Sequence, residues 1–182
     1  MAGRKLPRYY WDTCILLDHL KGSCPEPLIM QGIDECVKKI DGRSATLITS
    51  VITRLEILQS KTPEEAFKKL ASMFDGAFKV MVQVSPPIVD EAYQIRNAFP
   101  GLSVPDCLHL ATAIIYEADE FHTRDGSGTA KKSRKLLPLS GDQKLKGLKI
   151  CIPPVKQMSL PVDMATVKPR VLPGLTVVKK DS

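Results

Sequence analysis

Residues 102–116, LSVPDCLHLATAIIY, constrain the arrangement of everything around them. Leu, Ile and Ala fall on nearly every side of this helix, so it must be covered on several faces rather than lie on a surface. The one carboxylate, Asp106, stands at its head. Ser103 and Asp106 have the spacing of a capping box, and an acid in the first turn also favours the helix macrodipole. The same position suits a ligand held where a helix starts, and the stretch by itself leaves both readings open.

Working outward, short β-prone runs alternate with helical patterns. Strands are expected in RYYWD (8–12), SATLITS (44–50), FKVMVQV (78–84), DEFHTRD (119–125) and LKGLKICIP (145–153). Between them, TCILLDHLKG (13–22) reads as a helix stopped by Gly22, and PEPLIMQGIDECVKKIDG (25–42) has apolar residues at helical spacing with Gly42 past its end. SVITRLEILQS (50–60) and TPEEAFKKLASMFDG (62–76) follow, the latter with Thr62 as N-cap and Pro63 at N1. Ser85-Pro86-Pro87 opens another helix. The alternation argues for α/β architecture, a parallel sheet covered on both faces.

The chain has 182 residues, 43% hydrophobic and 25% charged, which suits one soluble globular domain with something extra. No apolar run is long enough to span a membrane, and the N-terminus has no apolar signal core. Five cysteines without a C-x-x-C pair suggest reduced thiols and a cytoplasmic location. The formal charge of +6 is unevenly spread. Residues 1–125 carry 14 Lys/Arg against 17 Asp/Glu, whereas residues 126–149 carry 7 against 1. Such a basic segment either meets a phosphate backbone or is a solvated loop. GSGTAKKSRKLLPLSGDQ (126–143) has no period and reads as a loop or insertion. The domain is expected over 1–152, with a basic insertion at about 126–148, and the proline-containing segment 153–182 is expected to be an extended tail.

In an open α/β sheet, ligands bind beyond the carboxyl ends of strands. Four acids fall there: Asp12 after YYW, Glu56 after ATLIT, Asp106, and Asp125 after EFHT. Each has an ordinary alternative: a cap for the helix at Thr13, a solvent-facing helix acid, a capping box, and a turn with Gly126. Glu56 fits its alternative least well, because Val51, Ile52, Leu55, Ile57 and Leu58 surround it in sequence. Converging carboxylates need positive charge between them, and hard divalent cations such as Mg²⁺ or Mn²⁺ take oxygen ligands. His19, His109 and His122 lack metal-ligand spacing, and His109 is expected to be a satisfied helix histidine.

The blocks YYWDTCILLDHLKG, ITSVITRLEIL, VPDCLHLATAI and ADEFHTRD together resemble the signature blocks of PIN-domain ribonucleases, and are most similar to the VapC-like branch of VapBC toxin–antitoxin pairs. The resemblance covers roughly residues 8–152. It implies a doubly wound α/β/α sandwich with a central, mostly parallel sheet, and a metal-dependent endoribonuclease activity. It puts the family's four acids on Asp12, Glu56, Asp106 and Asp125, as both catalytic and metal-binding groups, and its supporting hydroxyls on Thr13 and Thr123. It also implies an RNA substrate, an antitoxin partner and a homodimer. Two departures accompany it: the basic 126–147 stretch and the proline-containing tail exceed what the family core needs.

The expected chemistry is hydrolysis of an RNA phosphodiester assisted by one or two Mg²⁺ or Mn²⁺ ions. Lys131, Lys132, Arg134 and Lys135 are expected to contact the phosphate backbone. The rival class is an RNA-binding or regulatory module that keeps the fold without cleaving, distinguished by whether RNA is cut. A small-molecule phosphohydrolase is a second rival, since Asp12-Thr13 is similar to the start of the haloacid-dehalogenase motif. That motif needs a second Asp two residues on, where Cys14 stands.

Overall fold

The computed structural model describes residues 5–59, 63–127 and 136–155. Among these residues, five strands form one sheet: β1 (Arg8–Trp11), β2 (Thr46–Ser50), β3 (Lys79–Val82), β4 (Glu120–His122) and β5 (Lys149–Cys151). Their order is β3-β2-β1-β4-β5, and every neighbouring pair is parallel. The sheet expected to be mostly parallel is therefore wholly so. β1 lies at its centre, flanked by β2 in register Tyr10↔Ile48 and by β4 in register Tyr10↔Phe121.

Strand alternation feeds two cores. Tyr9, Trp11 and Leu47 point to one side, against α1 (Thr13–Lys21), α2 (Pro27–Asp41) and α4 (Pro63–Met73). Tyr10, Ile48 and Phe121 point to the other, against α5 (Pro86–Ala98) and α6 (Val104–Ile115). A short helix, α3 (Ile52–Ile57), follows β2. This is the doubly wound sandwich expected from the sequence. α6 is the opening stretch: Cys107, Leu110, Ala111 and Ala113 are buried on it. Ser103 caps it through a full capping box with Asp106. α1 ends where Gly22 takes the left-handed conformation, φ 65°, as its position predicted.

Two features lie outside the expected pattern. The stretch read as a loop contains a single-turn 3₁₀ helix, Leu137–Leu139, and a second, Gln143–Leu145, runs from its end into the stretch expected as the last strand, which pairs only over Lys149–Cys151. Leu136 and Leu145 are buried against the α5/α6 side. Gly32, in the middle of α2, is there because the backbone after β5 crosses it: a Cβ at this position would lie 2.1 Å from the Pro153 carbonyl oxygen. Most of the apolar residues of α1 and α2, among them Ile15, Leu16, Ile29, Ile33 and Ile40, are core, while Leu28 is exposed. Thr62, the basic residues Lys131, Lys132, Arg134 and Lys135, and the tail beyond 155 lie outside the described residues.

Candidate metal centre

β1 and β4 are adjacent and parallel, so their carboxyl ends open side by side. Asp12 follows β1 and caps α1, accepting the Thr13 amide at 2.7 Å. Its second oxygen accepts the Thr123 hydroxyl at 2.8 Å, just beyond β4. Thr123 in turn accepts the Asp125 amide at 3.0 Å, which turns the chain so that Asp125 faces the same space. Glu56 reaches in from α3 and accepts a hydrogen bond from the Thr13 hydroxyl. Asp106 enters at the head of α6, where the Ser103 amide donates to Oδ2 at 2.9 Å.

All four acids line one open cleft of about 540 Å³, with Glu26, Cys14 and Arg124 also on its wall. The ordinary readings of Asp12, Asp106 and Asp125 hold too: a cap, a capping box and a turn. These roles are what aim the carboxylates. Glu56 is not a solvent-facing acid; it is partly buried between Thr13 and His109.

Histidine chemistry is where the structure departs most from the sequence reading. His109 is satisfied, as expected, but one of its partners belongs to the cleft. Its Nε2 lies 2.9 Å from Glu56 Oε2, and its Nδ1 lies 2.6 Å from the Tyr10 hydroxyl. Burial opposes charge on His109, yet the Glu56 hydrogen bond and the nearby negative Asp12, Glu56 and Asp106 raise its pKa above the ordinary value. Burial likewise opposes charge on Glu56, and the His109 bond outweighs it, so the carboxyl titrates below its usual range. Both directions describe an ion pair beneath the cleft. Oxygens of Asp12 and Glu56 and a nitrogen of His109 lie within 4.8 Å of one another. The residue is three positions beyond Asp106 on α6, one helical turn on the same face, and that spacing was the available signal.

Behind Thr13, a supporting hydroxyl expected from the resemblance, Thr53 and Thr49 form a second layer that the sequence did not single out. Thr13 approaches Thr53 at 3.3 Å, Thr53 lies 3.0 Å from Thr49, and Thr49 donates to the Trp11 carbonyl at 2.9 Å. This buried chain of hydroxyls ties α1, α3, β2 and β1 together directly under Asp12 and Glu56.

Glu120, His122 and Cys151 also come together, on the opposite face of β4 from Phe121. Trp11 Nε1, which can only donate, reaches His122 Nδ1 at 3.1 Å, so that nitrogen accepts and Nε2 carries the proton. Nε2–H is then spent on Glu120 at 2.8 Å. Neither nitrogen has a lone pair to spare, and this trio is structural.

The cleft suits a hard divalent cation. Its donors are carboxylate oxygens, and burial together with the neighbouring Asp106 and Asp12 pushes the Asp125 pKa upward. Part of that shift comes from the neighbouring carboxylates, which a cation would offset. The one basic residue on the lining among the described residues, Arg124, is ion-paired with Asp18 at 2.8 Å.

Comparisons with known proteins agree with this layout. A comparison with curated proteins found no sequence match. Among solved structures, a chain of the VapBC2 complex of Rickettsia felis, bound to a DNA fragment from its promoter, is similar with TM-score 0.54 and 13% identity. The match covers 79% of this chain and 96% of that one. A chain of FitAcB from Neisseria gonorrhoeae gives TM-score 0.50 and 15% identity, over 80% and 97% of the two chains. One from a toxin–antitoxin complex of Klebsiella pneumoniae gives 0.48 and 20%, over 68% and 92%. At these identities the likeness to the Rickettsia felis and Neisseria gonorrhoeae chains shows a common fold. Residues 9–131, most of the described sheet and all four acids, match the family model of the PIN domain, and the chain belongs to the PIN-domain family.

Proposed function

We propose that the protein is a metal-dependent endoribonuclease of the VapC-like toxin kind. The observation that carries this reading is the convergence of Asp12, Glu56, Asp106 and Asp125 on one cleft at the strand ends. PIN domains are typically metal-dependent nucleases, which supports the reaction class. Asp12, Glu56, Asp106 and Asp125 would hold Mg²⁺ or Mn²⁺, directly or through water. An ion held there would supply Lewis-acid activation of a water and charge neutralisation at the phosphate.

The chain's own residues prepare that chemistry. Thr123 and the Thr13 amide occupy one oxygen each of Asp12, fixing the carboxylate plane. Thr13 and His109 both engage Glu56 Oε2, which leaves Oε1 toward the cleft. Ser103 holds Oδ2 of Asp106. Preset carboxylates lose little freedom on binding a cation, and such supporting partners commonly govern metal affinity. The basic residues Lys131, Lys132, Arg134 and Lys135 are proposed to add backbone contacts to RNA. An antitoxin partner, a homodimer and a cytoplasmic setting belong to the same proposal. Among the described residues, no helix is long and apolar enough to cross a membrane.

The test is cleavage of a structured RNA by purified protein, with Mn²⁺ or with chelator, alongside Asp106→Asn. Cleavage is expected with metal only, and the variant should be inert. An Asp106→Asn protein with undiminished turnover would refute the metal-centre assignment. Tight RNA binding without any cleavage would favour the non-catalytic alternative.

A further inference from the structure

We propose that Arg124 is the residue that grips the scissile phosphodiester of the substrate, held in place by buried Asp18; the proposal deepens the nuclease reading and rests on it. Arg124 sits between Thr123, which orders Asp12, and Asp125. Arg124 is among the residues that line the cleft holding the acids, and it is the one cation among the described lining residues. Two contacts with α1 fix it. The Arg124 amide donates to Cys14 Sγ at 3.4 Å, and Nε donates to Asp18 Oδ2 at 2.8 Å. Asp18 is 4% exposed, so the anchor is inside the protein, while the Arg124 side chain is 38% exposed and open to a ligand.

The geometry of that ion pair is informative. An arginine serving only to neutralise a buried aspartate gains most by a two-pronged pairing. Here Asp18 takes Nε, and among the described residues no other acceptor takes a hydrogen bond from the guanidinium. The terminal nitrogens are left in a fixed, planar arrangement suited to two phosphate oxygens. The need is evident from the lining: Asp12, Glu26, Glu56, Asp106 and Asp125 would repel an approaching phosphodiester. A bound cation lowers that barrier, and a pre-aimed guanidinium gives the phosphate a direct protein contact beside it.

The competing explanation, that Arg124 exists only to balance Asp18, makes a different prediction. Three proteins separate them: Arg124→Gln, Asp18→Asn, and the uncharged pair Asp18→Asn/Arg124→Gln. Steady-state cleavage of a single-stranded RNA with Mn²⁺ should show KM for Arg124→Gln raised about tenfold, the scale of a lost charged hydrogen bond. The double variant should regain thermal stability relative to Arg124→Gln but keep the raised KM. Recovery of both would assign Arg124 to charge balance and overturn the proposal.

A second readout needs no turnover. In an Asp106→Asn background, binding of a 5′-fluorescein-labelled single-stranded RNA is followed by anisotropy against salt. Arg124→Gln should flatten the slope of log Kd on log salt by about 0.7, the value for one phosphate contact on a single strand. An unchanged slope and affinity would also overturn the assignment. If the unmodified protein binds RNA but never cuts it, the nuclease reading fails, and the slope still tests the grip.

Discussion

Asp106 spends only one of its two oxygens on the capping box, and this makes it the most useful residue to alter. Oδ2 closes the capping box with Ser103, which leaves Oδ1 for the cleft. Asn keeps an acceptor for the Ser103 amide while removing the charge. Asp106→Asn should therefore cost less than about 1 kcal/mol of stability, the scale of a weakened cap, while Mn²⁺-dependent cleavage is lost. Denaturation and cleavage assays on the same preparation check this. His109 tests the layer beneath. His109→Ala removes the partner of Glu56 Oε2 and leaves Tyr10 without its ring partner. Calorimetric titration with Mn²⁺ should show affinity reduced about 10- to 100-fold, the range for residues that orient a metal ligand. His109→Gln, which can still donate to Glu56, should recover part of it. An affinity unaffected by either change would mean that Glu56 needs no such support. The acids were legible in the sequence because each follows a strand or heads a helix. Of their partners, Thr13 and Thr123 came with the family resemblance, but His109, Thr49 and Thr53 were not legible: they sit in apolar helical or strand patterns, and only the packing of α6, α3, β2 and β1 beneath the cleft gives them a polar role.

At the level of elements, strands and helices were readable because their signals are local: alternating or continuous β-branched runs, helical apolar spacing, Ser and Pro at starts, Gly at ends. Close approaches between elements that are far apart in sequence were not. Gly32 and Gly22 illustrate the difference. Gly22 has φ 65° and open space around it, so a side chain there meets only backbone strain. Gly22→Ala should cost about 1 kcal/mol. Gly32 has ordinary helical geometry, where Ala would normally stabilise a helix by about 1 kcal/mol. The Pro153 carbonyl at 2.1 Å reverses the sign. Gly32→Ala should destabilise by about 2–3 kcal/mol through overpacking. Urea denaturation of the two variants ranks them, and a stabilised Gly32→Ala would contradict the crossing of α2 by the chain after β5.

Across the whole molecule, the cleft draws on residues from Asp12 to Asp125, so a bound cation reports on the complete fold. Mn²⁺ at a hundredfold excess over Kd should add about 2.7 kcal/mol to stability. For a chain of this size that raises Tm by about 5–10 °C, and Asp12→Asn should show little of the shift. Acid should act on the other face of the sheet. Burial puts the His122 pKa below the ordinary 6.5, and the His122 and Lys149 contacts hold Glu120 down at about 2, against 4.5 when free. In both cases the unfolded chain takes up its proton first as pH falls. Stability from His122 is complete above about 6.5 and declines below it; that from Glu120 is complete above about 4.5 and is lost toward 2. The urea midpoint should fall from pH 7 to pH 3, and Glu120→Gln should flatten the lower part of that curve. The strand order carries one more consequence, for the chain as it is made. β1 is the first strand synthesised and the central one in the sheet, and its register partner across one edge, Tyr10↔Phe121, emerges 111 residues later. Until β4 arrives, Tyr9, Tyr10 and Trp11 present an open, apolar strand edge, the kind that pairs with other chains. A chain truncated after residue 118 should aggregate in light-scattering assays where the full chain does not, so that the strand at the heart of the finished sheet is the greatest liability of the unfinished one.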